Sequence, residues 1–115
     1  MHYLVKGEYI EEYTAGKPAE ESFKWIEMVV HPSLEMLENQ VKEGKITGGL
    51  SAGDRVGYMI IDAPSNVAVA EWLRSFPFWG ALKWTVTPLQ SFKSGKDQDV
   101  AAFARARAMM AGSHP

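Results

Sequence analysis

The spacing of apolar residues changes along this chain, and each change marks a predicted element. Residues 2–9, "HYLVKGEY", alternate, with Tyr3, Val5, Gly7 and Tyr9 on one face and His2, Leu4, Lys6 and Glu8 on the other, the period of a β-strand. From Phe23 the spacing becomes threes and fours, through Ile26, Val30, Leu34, Leu37 and Val41, which predicts one long amphipathic helix. Its entry, "TAGKPAEE", holds Pro18 where a missing N–H is harmless and sets Glu20 and Glu21 near the positive end of the helix dipole. Gly44 suits the left-handed position after the last turn. Inside this run stands His31-Pro32. An interior proline removes a donor and clashes with the carbonyl four residues back, costing about 3 kcal/mol. Because the apolar stripe keeps its phase across Pro32, a kinked helix or two nearly collinear ones are expected rather than an end.

The second half reads as two strands, a helix and a strand. "KITGGLSA" is a strand weakened by Gly48 and Gly49, which point to a bulge or a close approach. Gly53-Asp54 turns the chain into "RVGYMIID", which alternates less and is expected to be buried on both faces. Pro64 breaks that strand, and Ser65 is placed to cap a helix through "NVAVAEWLRSF". "PFWG" is a turn with two aromatics expected to be exposed, and "ALKWTVTPL" alternates as a fourth strand. The order β-α-β-β-α-β predicts an α+β, ferredoxin-like antiparallel sheet with two helices on one face. This domain takes residues 1–90, and residues 91–115 form an extension with a short helix from Asp97 to Met110, in which Val100, Phe103 and Met110 are placed to pack on a neighbour. The other sheet face needs a cover, and dimerisation is the simplest one.

At 115 residues the chain is the size of one domain. A net charge of −2 without clustered Lys or Arg argues against nucleic acid or an anionic membrane as partner. Absence of cysteine excludes disulfides and thiolate chemistry. Three scattered histidines give no metal-ligand spacing, and no phosphate-binding loop occurs, so neither metal nor cofactor is expected. The N-terminal residues lack the apolar segment of a secretory signal, and no apolar run reaches the ~18 residues of a membrane span. A cytoplasmic location is the expectation. Four tryptophans in so short a chain require a core, a ligand cavity or a subunit contact.

Among titratable groups His31 is the leading candidate for acid–base work, since an imidazole titrates near working pH. The alternative is a boundary histidine paired with Glu27 or Glu35 at helical spacing. Asp62, at the end of strand three, either orients a base or serves the following turn. Tyr3, Tyr9 and Tyr58 each offer a hydroxyl to stabilise an enolate, Tyr58 the leading one, against a role for each in ring packing with its hydroxyl bonded to backbone. His2 and His114 lie near the ends of the chain and are expected to be solvated. Tyr3, Trp25, Trp72, Phe78, Trp79 and Trp84 are the candidate walls of an apolar pocket, or the aromatic contacts of a subunit interface.

Over residues 42–89 the motifs fall in a familiar order: "EG" closing the first helix, a glycine before strand three, the "DAPS" junction, the "LRSFPFW" turn and "TPL" closing strand four. This arrangement resembles the muconolactone isomerase-like members of the dimeric α+β barrel superfamily. The resemblance implies a homodimeric barrel or larger homo-oligomer with a cleft between sheet and helices. It also implies cofactor-free proton transfer on a small hydrophobic cyclic compound, for which the residues of this chain offer His31 as the base, assisted by Tyr58 or another hydroxyl. No residue of the family's catalytic set is carried over onto this chain. A non-catalytic ligand-binding or assembly module, and a cofactor-free monooxygenase of aromatic polyketide-like compounds, are the alternatives.

Overall fold

The computed structural model describes residues 1–112, so His114 and the end of the 91–115 extension lie outside the described residues. Its strands are β1 (His2–Tyr9), β2 (Ile46–Leu50), β3 (Val56–Asp62) and β4 (Leu82–Leu89). They form one antiparallel sheet in the order β2-β3-β1-β4, an arrangement compatible with a ferredoxin-like fold. The helices are α1 (Ala19–Trp25), α2 (His31–Lys42), α3 (Asn66–Arg74) and α4 (Phe92–Gly112).

α1 and α2 are one helical run joined by a π-helical turn, Ile26–Val30, immediately before Pro32. In this turn the N–H of His31 reaches back to the carbonyl of Ile26. Widening the helix here gives the proline a first-turn position in α2, where it needs no intrahelical donor. The run therefore continues through Pro32, as the in-phase stripe predicts. It ends at Gly44, whose φ is 76° and whose N–H bonds Val41 at 3.0 Å, the left-handed exit expected there.

The core lies between α3 and one sheet face. Tyr3 and Val5 are fully buried with Ile46, Met59 and Ile61 against Val69 and Leu73. Ser65 caps α3 by accepting the N–H of Ala68 at 3.2 Å. β3 departs from the sequence expectation: Met59 and Ile61 are buried, but Tyr58 and Ile60 are 43% and 44% exposed. All the helices that cover the sheet lie on its other face, so the strand alternates after all. "PFWG" departs in the opposite sense at Phe78, which is buried, while Trp79 remains exposed.

α4 starts earlier than Asp97 because Ser91 accepts the N–H of Ser94 at 3.0 Å and Lys93 pairs with Asp97 at 2.7 Å, one helical turn on. Val100 and Phe103, read as contacts for a neighbour, are exposed on this helix in the single chain. Among the described residues no helix is long and apolar enough to cross a membrane.

Candidate functional site

A cleft of about 1180 Å³ separates the α1–α2 run from the sheet. It owes its existence to missing side chains. Three transverse rows cross the helix-facing side of the sheet. The first, Tyr3, Ile61 and Ile46, is filled and buried. The second ends in Gly48 beside Met59 and Val5. The third runs Trp84, Gly7, Gly57, Leu50, so its two central positions carry no side chain. The trough has its floor on these glycines.

Two of these glycines, Gly7 and Gly48, have a local steric reason. A Cβ on Gly7 would come within 2.8 Å of the Trp84 ring, and one on Gly48 within 2.1 Å of the Tyr58 carbonyl oxygen. Gly48 also has φ 151°, which disfavours L side chains. Gly57 is different, since a Cβ there would meet only Leu50, at 3.5 Å. Close approach explains Gly48, as the weakened second strand suggests, and leaves Gly57 as the position whose empty space belongs to the cleft.

Every residue of the sequence stripe, Phe23, Ile26, Val30, Leu34, Leu37 and Val41, lines the roof. Phe23 is nevertheless 56% exposed and Val41 37%, because the trough beneath them is unfilled. One end is closed by an aromatic stack. Tyr9 lies 5.8 Å from Trp25 between ring centroids, the guanidinium of Arg55 sits 5.5 Å over the Tyr9 ring, and the Tyr9 and Thr14 hydroxyls are hydrogen-bonded at 2.8 Å. A second aromatic wall is Phe78 against Trp84, with centroids 5.9 Å apart. Phe78 is held there by buried Ser33, whose Oγ accepts the Phe78 N–H at 3.1 Å and donates to the Val29 carbonyl at 2.8 Å. The hydroxyl thus ties the π-helical turn to the aromatic turn.

The sequence-predicted site residues divide. Trp25, Phe78 and Trp84 line the cleft. Trp72 does not line it; its indole N–H donates to Gln40 at 2.8 Å and braces α3 against α2. Trp79 lies outside under Arg74, whose guanidinium is 4.7 Å from its ring. Tyr3 is buried, with its hydroxyl on Asn66 at 3.0 Å. His31 is exposed and Tyr58 lies on the open sheet face, neither of them lining the cleft. Asp62 accepts the Met1 amino group at 3.0 Å, and that ammonium holds its carboxyl below the usual range. His31, Tyr58 and Asp62 therefore do not converge on one substrate position.

Arg55, Thr14, Glu35 and Glu38 also line the cleft, and the sequence pattern does not mark them as site residues. The sequence carries two usable signals for the trough, the placement of Gly7 on the alternating face of β1 and the Gly48-Gly49 pair that weakens β2. The polar corner had none, because Arg55 sits beyond the hairpin turn and Thr14 in the connection after β1. Among the described residues no three His, Asp or Glu side chains gather as a metal site. Comparison with models of known protein families finds no match to this chain, and comparison with characterised proteins finds none either. Function must accordingly be argued from the cleft itself.

Proposed function

We propose that this protein binds a small, largely apolar cyclic compound in the trough between its long helical run and its glycine-floored strands. The observation that carries this is the unfilled roof. An amphipathic stripe runs along the whole helical run, yet apart from Leu37, which also packs against the core, its side chains face space that a ligand would occupy with the contacts they lack. Cofactor-free proton transfer on such a compound is the second reading, favoured by the carboxylates that line an otherwise apolar cleft. Glu35 and Glu38 are the bases it would use and the Tyr9 hydroxyl the donor, in place of His31, Tyr58 and Asp62.

The test is titration with the neutral fluorophore N-phenylnaphthylamine, following energy transfer from Trp25 and Trp84. Saturable binding is expected, and Gly57→Leu, which fills the trough from its floor, should abolish it. Failure of the probe to bind, or undiminished binding by Gly57→Leu, would overturn the proposal.

We further propose that a second copy covers the open sheet face. Leu4, Tyr58 and Ile60 leave it 37%, 43% and 44% exposed at those side chains, in cross-strand register around Lys6, and the resemblance to dimeric barrels points the same way. Light scattering should give a dimer for the native chain and a monomer for Ile60→Lys. A monomeric native chain would sink this assignment.

A further inference from the structure

We infer that the ligand of this cleft is an anion: an apolar ring system bearing one carboxylate or comparable acidic group, which Arg55 receives. This rests on the ligand-binding reading above and adds the chemistry of one end. Arg55 lines the cleft and takes part in no ion pair among the described residues. Its exposed guanidinium lies over the Tyr9 ring, and that ring in turn packs at a tilt against Trp25. An arginine seated on an aromatic face is oriented by that face while its N–H edge stays available. A planar fork held in this way suits two parallel hydrogen bonds from an oxyanion.

The other charged residues of the lining do not compete for this role. Lys42 stands on α2 in company with Glu35 and Glu38, so that wall carries net negative charge. Asp54, which precedes Arg55 and also lines the cleft, makes no ion pair with it among the described residues. An apolar acid would thus enter with its acidic end at Arg55 and its rings between the roof stripe and the glycine floor, its charge directed away from Glu35 and Glu38.

The experiment uses two probes with one skeleton: anilinonaphthalene sulfonate, and N-phenylnaphthylamine, which lacks the sulfonate. Arg55→Gln should weaken the sulfonate roughly tenfold or more, the loss of a charge-assisted contact, and leave the neutral probe within about twofold. Arg55→Lys should restore part of the loss, because it keeps the charge without the fork. Gly57→Leu should remove both probes, which places both in the trough. If Arg55→Gln changes the two probes equally, or changes neither, Arg55 is no anchor and the inference falls while the cleft stands. If neither probe binds the native chain, the cleft reading and the inference fall together.

Discussion

The two helical layers over this sheet obey the same spacing rule and reach opposite results. On α3, Val69 and Leu73 are 1% and 4% exposed, pressed onto the filled row of Tyr3, Ile61 and Ile46. On the α1–α2 run, residues at equivalent threes and fours stay half-buried or exposed over a trough. The helices do not differ in kind; the floors do. One rests on rings and branched side chains, the other on Gly7, Gly57 and Gly48. An amphipathic stripe therefore declares which side of a helix faces the sheet, and the opposite surface decides whether that side becomes core or cavity roof.

The largest test of this contrast compares two leucines. Leu73→Ala empties packed space and should cost about 2–5 kcal/mol in chemical denaturation. Leu34→Ala removes atoms that already border a void, so only part of a transfer term is lost, under about 1.5 kcal/mol. Equal losses at the two sites would show that the trough is closed in solution and would erase the distinction.

Ser33 is the hinge between the halves and comes next in size. Ser33→Ala leaves the N–H of Phe78 buried without its acceptor, at about 1–3 kcal/mol. It should also loosen the Phe78 wall, so that N-phenylnaphthylamine binds more weakly. A stable variant with native probe affinity would show that the tie is dispensable.

Gly57 then converts one half toward the other. Gly57→Ala adds a methyl at ordinary contact distance from Leu50 and removes unfolded-state freedom, which should leave stability level or raise it by up to about 1 kcal/mol. Probe affinity should fall while stability does not, separating the cleft from the fold. A parallel loss of both would mean that Gly57 serves the strand instead.

Much of this organisation was legible in the residues. Period-two runs and the stripe from Phe23 to Val41 located the strands and the helical run, because alternation and threes-and-fours follow directly from backbone geometry. Ser65 and Gly44 marked helix ends for equally local reasons. The aromatic walls were legible only in part. Trp25 and Trp84 line the cleft, but Trp72 and Trp79 were equally aromatic candidates and point elsewhere, since composition carries no direction. Arg55 was invisible for a stronger reason. Its role depends on β3 pairing with β1 so that Tyr9 and Arg55 meet, with the Tyr9 N–H bonded to the Arg55 carbonyl at 3.1 Å, and such a meeting is written in register rather than in sequence. The open face of β3 shows the same limit. Its apolar residues implied burial on both sides, whereas a single chain covers one.

The smallest expected effect lies on the reverse of the strand that floors the trough. Lys6 and Glu8 pair at 2.6 Å on that open face, and the lysine's hydrogen bond and charge hold the Glu8 carboxyl below its ordinary range while Glu8 raises Lys6. For Glu8 the folded state has the lower pKa, so the pair's contribution is present above the ordinary carboxylate range and lost as pH falls through the lowered value. For Lys6 it is present below the ordinary lysine range and lost as pH rises through the raised one. Both groups are solvent-accessible, so screening keeps the effect small and added salt should shrink it further. Glu8→Gln should flatten the acid limb of the stability profile slightly and leave N-phenylnaphthylamine affinity untouched. A change in probe affinity with Glu8 would mean that the two sheet faces are coupled through β1, and the contrast between packed and open halves would then have to include what covers the face behind them.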